Sequence, residues 1–135
     1  MQQITIPATL DQLETALTFV REQMQKAGCP AKTAGQMELA VEEIFVNIAN
    51  YAYHPGQGPV SITCEVKGEP LCATVTFCDE GSPYDPLGRT DPDLTLDAEE
   101  RQIGGLGILM VKKLMDEVIY EYRDGKNCLT MRKTG

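Results

Sequence analysis

The hydrophobic period of this chain changes near residue 55, from helical spacing to strict alternation, and that change restricts the fold more than any other feature. Before it, apolar residues recur at helical spacing. "LDQLETALTFVREQMQKAG" places Leu10, Leu13, Leu17, Val20 and Met24 on one side of a helix, with Thr9 as the expected N-cap and Gly28 and Pro30 as stops. A second helix is expected from near Lys32 to about Tyr53, ended by "HPGQGP". After it the period falls to two. "PVSITCEV" alternates Val60, Ile62, Cys64 and Val66 with Ser61, Thr63 and Glu65, and "LCATVTFCD" puts Leu71, Ala73, Val75 and Phe77 on one face.

The flanking segments complete the pattern. "QQITIP" reads as a first strand ended by Pro7. "GILMVKKLMDEV" reads as a helix, and "VIYEYR", "DGKN" and "CLTMRK" read as a closing hairpin. The expected order is β-α-α-β-β-loop-α-β-β. Strands with one polar face need cover on the other face only. The fold class is therefore an α+β two-layer sandwich, with a mostly antiparallel mixed sheet and helices packed on one face.

At 135 residues, one domain over 1–135 is the simplest expectation. A net charge of −8 argues against general binding to nucleic acid or anionic membrane, since a polyanion would be repelled. No apolar run approaches the roughly 20 residues that span a bilayer. "MQQITIPATL" lacks the basic and apolar regions of a signal peptide, so a cytoplasmic protein is expected. The five cysteines form no CxxC pair, and His54 is the sole histidine, which argues against a zinc finger. Reduced thiols in strand-like runs are expected to act as small apolar fillers.

Three stretches carry candidate chemistry. In "AVEEIFVNIANYAYH", a rotation of 100° per residue puts Gln36, Glu43, Asn47, Asn50 and His54 in a stripe roughly 60° wide. Val41, Ile44, Phe45, Ile48 and Ala52 form the adjoining apolar arc, while Glu38 and Glu42 fall on a separate sector expected to face solvent. Glu43 and Asn47 thus stand one turn apart on one face. An amide oxygen suits Mg²⁺, and a carboxylate can take a proton from an incoming hydroxyl. A polar helix edge with an internal hydrogen bond would use the same residues.

In "FCDEGSPYDP", Asp79 ends an apolar strand and can accept from an exocyclic amine, with Gly81 permitting close approach of a flat group. Asp79 can equally serve as a turn former. In "IGGLGILMVKKLMDEV", Gly104, Gly105 and Gly107 lead into a helix whose first amides could bind an anion, or provide a hinge. The acidic segment at about 87–103 has little periodicity and reads as a lid.

Taken in order, the three stretches resemble the boxes of the Bergerat-fold (GHKL) ATPase and kinase superfamily. Over nearly its whole length the chain is similar to the single-domain anti-sigma factor serine/threonine-protein kinases. "ELAVEEIFVNIANYAYH" matches the N box, "DEGSPYDP" the first glycine box and "GGLGILMVKKLMDEV" the second.

The resemblance implies ATP and Mg²⁺ as cofactors. It makes Glu43 the general base toward a serine hydroxyl and Asn47 the Mg²⁺ ligand. Asn50, Asp79, Gly81, Tyr84, Gly104, Gly105, Leu106 and Gly107 complete the implied nucleotide site, with Asp79 holding the adenine amino group. Implied partners are a STAS-domain anti-anti-sigma factor as substrate, a sigma factor, and a second copy of the chain in a homodimer. The sequence departs from its relatives in two places. Asn50-Tyr51 stands where many have a histidine, and Asn127-Cys128 stands near a threonine that adjoins the adenine. Arg89 and Arg101 are the lid's candidates for the γ-phosphate.

Two functions follow as expectations. The first is Mg-ATP-dependent phosphorylation of a partner serine. The second is a nucleotide-binding module that sequesters a protein with little turnover; retention of both Glu43 and Asn47 favours the first. A histidine-kinase catalytic fragment is disfavoured, because no helix pair with a phosphoacceptor histidine precedes the domain.

Overall fold

The computed structural model describes residues 1–53, 56–83 and 105–135. Its elements run β1 (Gln2–Pro7), a 3-10 turn (Leu10–Gln12), α1 (Leu13–Lys26), α2 (Ala31–Tyr51), β2 (Pro59–Lys67), β3 (Cys72–Asp79), α3 (Gly105–Leu114), β4 (Glu117–Arg123) and β5 (Lys126–Thr134). The five strands pair in the order β1-β2-β3-β5-β4. All four pairings are antiparallel, so among the described residues the expected mixed character is absent.

Helix α1 ends as its sequence requires. Gly28 takes φ +75, the Cys29 amide donates to the Met24 carbonyl (3.0 Å), and the Gly28 amide donates to the Gln25 carbonyl (3.1 Å). These two bonds satisfy carbonyls that a helix end otherwise leaves bare. The start of the helix differs from expectation. Thr9 makes no side-chain bond to the backbone; its hydroxyl turns to Asp11, and the chain enters through a 3-10 turn closed by Gln12 N–H to Thr9 C=O.

The third helix is shorter than its periodicity suggested. It stops at Leu114, and Glu117 and Val118 already belong to β4. The reason lies in the partner strand. The Asp116 amide donates to the Arg132 carbonyl of β5 (2.9 Å), so sheet pairing captures the chain where helical bonding would have continued. Val118, Ile119, Tyr120 and Tyr122 favour that outcome, being β-branched or aromatic.

One side of the sheet carries the core. Val60, Ile62 and Cys64 of β2, Ala73, Val75 and Phe77 of β3, and Leu129 and Met131 of β5 pack beneath Val20 and Met24 of α1, Val41, Ile44 and Phe45 of α2, and Val111 of α3. Phe45 and Phe77 are fully buried, and each such side chain contributes on the order of 1.5–3 kcal/mol by leaving water. The opposite face is polar and hydroxyl-rich. Thr5 bonds Ser61 and Thr76 bonds Thr130 across neighbouring strands, each at 3.1 Å.

Candidate nucleotide site

Alternation in β3 does not stop at its last apolar residue. Ala73, Val75, Phe77 and Asp79 share one phase, so Asp79 points to the helix side and is only 5% exposed. A carboxylate placed there must find donors. Its Oδ1 accepts from the Gly81 amide (2.9 Å) and from Asn127 Nδ2 (3.0 Å). Asn127 is the residue opposite Asp79 in the β3–β5 register and is 7% exposed. Its Nδ2 also donates to the Ser82 carbonyl (3.0 Å) and approaches that of Gly81 (3.3 Å), while its Oδ1 accepts from the Tyr120 hydroxyl. Among the described residues Asp79 Oδ2 has no hydrogen-bond partner.

The loop after β3 is fixed from the other side by the end of α2. The Tyr53 hydroxyl accepts from the Glu80 amide (2.7 Å) and donates to the Pro59 carbonyl (2.6 Å). Burial raises the pKa of this phenol and nearby Asp79 and Glu80 add to the rise, while the Glu80 amide opposes it; the hydroxyl stays protonated near neutrality. A Cβ on Gly81 would overlap the Ala52 carbonyl, so only glycine lets the loop and the helix end meet. The Ser82 amide then donates to that same carbonyl (3.3 Å).

These contacts frame a cleft of about 470 Å³, open mouth included. Ile44, Ile48, Phe77 and Leu129 supply apolar walls, and Asp79 stands among them. A flat heterocycle with an amine at its edge fits such a lining, because it offers stacking area and the donor that Oδ2 lacks.

A second cavity, of about 340 Å³, adjoins the first and shares Asn47 and Tyr51 with it. Its other lining residues are Glu43, Val46, Asn50, Gly107 and Ile108. Helical phase therefore grouped Glu43, Asn47 and Asn50 as the structure does, and Glu42 lines neither cavity. Glu38 departs from expectation: rather than facing solvent alone, it is bound to Arg21 of α1 (2.7 Å). Gly107 lies against the Glu43 carboxylate, where an added Cβ would overlap Oε2. Gly105 opens α3, whose first amides have no partner within the helix.

Tyr84, Gly104, His54 and the expected lid at 87–103, with Arg89 and Arg101, lie outside the described residues, as does the Leu106 side chain. Tyr53 and Tyr120 were not found from the sequence, and Asn127 was noted only as a departure from relatives. Strand parity offered one signal, since Asn127, Leu129 and Met131 repeat at period two, as do Ala73 to Asp79. The pairing of β5 with β3 had no such signal.

The sequence matches the histidine kinase-like ATPase domain over residues 6–133. The chain belongs to that family. It is similar to the serine/threonine-protein kinase BtrW of Bordetella bronchiseptica, with 30% identity over 95 residues, covering 70% of this chain and 66% of that protein. It is also similar to the serine-protein kinase RsbW of Listeria monocytogenes, at 30% identity over 104 residues, covering 74% and 66%. The chain thus spans just under two thirds of the length of these relatives.

Solved structures agree on the fold of this ATPase-domain chain. The RsbU and RsbW domains of Rv1364c from Mycobacterium tuberculosis superpose with a TM-score of 0.66 at 15% identity, over 99% of this chain and 32% of that one. The SiaB–SiaC complex from Pseudomonas aeruginosa gives 0.59 at 16% identity, over 100% and 90%.

Among the described residues no group of three or more His, Cys, Asp or Glu could hold a metal. A Mg²⁺ ion here would take Asn47 together with phosphate oxygens and water, the donor set that this ion commonly accepts. An amide oxygen at the junction of the two cavities fits that role.

Proposed function

We propose that the chain is a Mg-ATP-dependent serine protein kinase of a partner-switching system, acting on a STAS-domain anti-anti-sigma factor and holding a sigma factor in its other state. The observation that carries this reading is the continuity of the two cavities along one face of α2. Asn47 and Tyr51 belong to both, so a nucleotide with its base at Asp79 would lead its phosphates toward Glu43 and the start of α3. The names of BtrW and RsbW as serine kinases support the reaction class. The proposed working form is a cytoplasmic homodimer; no described helix is long and apolar enough to cross a membrane.

The roles follow from chemistry. Asp79 Oδ2 accepts from the adenine amine, and the apolar walls exclude water from the ring. Amides at the start of α3 offer hydrogen bonds and a positive dipole end to the phosphates. Glu43 removes the proton of the incoming serine as its oxygen bonds to the γ-phosphorus; the bond from that phosphorus to the β,γ-bridging oxygen breaks, and ADP leaves. Bound at Asn47, Mg²⁺ supplies neutralisation of phosphate charge.

The test is transfer of labelled phosphate from Mg-ATP to the STAS-domain proteins of the same organism, with Glu43→Gln in parallel. Transfer by the native chain and its loss in the variant, with nucleotide still bound by both, is the expected result. Nucleotide binding without transfer in the native chain would make it a sequestering module. Failure to bind ATP would refute both readings.

A further inference from the structure

Cys78 and Cys128 face each other across β3 and β5, in the rung next to Asp79 and Asn127. Because Asp79, Phe77, Asn127 and Leu129 point to the helix side, the two thiols stand on the sheet face that no described helix covers. Cys78 is half-buried there, while Cys128 is buried.

The register settles the kind of rung. Asp124 (φ 52) and Gly125 (φ 75) form a two-residue turn between the paired Arg123 and Lys126, the geometry of a type I′ hairpin. Its closing pair exchanges both backbone hydrogen bonds, and the pattern alternates along the ladder. Counting outward, Glu121 and Cys128 form another hydrogen-bonded pair, so the Cys128 amide and carbonyl point to β4. Toward β3, Cys128 and Cys78 must then be a non-hydrogen-bonded pair. Such pairs bring Cα atoms to about 4.5 Å, inside the range that a disulfide spans. Both cysteines are free thiols paired directly across the two strands.

We propose that Cys78 and Cys128 are a reversible dithiol–disulfide pair that, once oxidised by a peroxide, locks the base end of the cleft. The Cys78 thiolate attacks a peroxide oxygen, the O–O bond breaks, and the departing hydroxide takes up the thiol proton as water. Cys128 sulfur then attacks the Cys78 sulfenic acid; the S–S bond forms, the S–O bond breaks, and a second water leaves. Two thiols lose two electrons and two protons, and hydrogen peroxide is reduced to two waters. A dithiol reverses the bond by exchange.

The bond would fix the β3–β5 spacing one residue from the Asp79–Asn127 contact. Other groups facing the pair are Ser61 of β2, Glu121 and Arg123 of β4, and Lys126 of β5. Burial, with the Cys128 contact, pushes the Cys78 thiol up to about 12, while Arg123 and Lys126 oppose the rise. The pair therefore reacts slowly at neutral pH and faster in alkali, roughly tenfold per pH unit below the thiol pKa.

The test needs no nucleotide, so it stands apart from the kinase reading. The reduced full chain is treated with hydrogen peroxide at pH 7, 8 and 9, alkylated, and mapped by mass spectrometry without reduction. A Cys78–Cys128 link with loss of two hydrogens is expected, formed faster at higher pH and reversed by dithiothreitol. Exchange of the Gly81 amide, which bonds Asp79, is expected to slow at least threefold in the oxidised chain and to be unchanged by peroxide in Cys78→Ser. Links between molecules, sulfinic acid at Cys78 without a link, or unaltered Gly81 exchange in the linked chain would overturn the proposal.

Discussion

The two ends of the cleft are built differently. At the base end, Asp79, Asn127, Tyr53 and Tyr120 are tied by side-chain hydrogen bonds to one another and to the loop at 80–82. At the other end Glu43, Asn47 and Asn50 make no side-chain hydrogen bond to any described residue, and Asn50 is exposed. One end is finished by folding, whereas the other keeps its polar atoms available. A buried carboxylate could not survive unpaired, but half-exposed side chains can be held by water until a ligand arrives. Substitutions at the Asp79 end should therefore damage the fold and binding together, and those at the Glu43 end should damage function without damaging the fold.

The strongest way to break this contrast is Glu43→Gln. Phosphoryl transfer should fall by about 10²–10⁴-fold, the usual worth of a general base, with melting temperature unchanged. A melting temperature that falls with activity would show that Glu43 supports the fold. Gly81→Ala should do the reverse. Overlap with the Ala52 carbonyl is expected to cost about 1–3 kcal/mol in denaturant unfolding and to weaken nucleotide binding in proportion.

Asn127→Ala strips a donor from Asp79 Oδ1 and leaves the Ser82 carbonyl without its Asn127 partner, a loss of about 1–3 kcal/mol by the same measurement. Tyr53→Phe removes the acceptor for Glu80 and the donor to Pro59 at a more exposed place, so about 0.5–1.5 kcal/mol is expected. If Tyr53→Phe proves costlier than Gly81→Ala, the hydroxyl, not the close backbone approach, joins loop to helix.

The smallest effect lies outside both ends and serves as a reference. The Thr134 amide bond, and secondarily Lys133, lowers the pKa of Asp116. A carboxyl with a folded pKa below its unfolded value adds stability that is present above the unfolded pKa, and loses it as pH falls through the folded pKa. Thermal melts from pH 7 down to pH 3 should show Asp116→Asn losing less stability than the native chain over that acid range.

The sequence exposed some of this design and hid the rest for a physical reason. A regular helix converts spacing into direction, so phase alone separated Glu43 from Glu42 across the 21 residues of α2. Parity does the same along one strand, and it could have turned Asp79 inward. Neither rule reports which strand lies beside which. The Asp79–Asn127 contact joins residues 48 apart through the order β3-β5-β4, and the Tyr53 contacts depend on where a helix end meets a loop. The end of α3 was hidden likewise, because pairing with β5 overrode a helical pattern that continued to Val118.

The place of β5 in the sheet also sets an order of events during synthesis. Among the described elements this strand comes last in sequence and so is made after the others, yet it occupies an interior position between β3 and β4. Until Lys126–Thr134 emerge, Asp79 lacks Asn127, and the cleft lacks the wall made by Leu129. A nascent chain that stops before β5 would carry Glu43, Asn47 and Asn50 without the Asp79–Asn127 contact. On the proposed reading, a chain interrupted before β5 would be unable to hold nucleotide at Asp79.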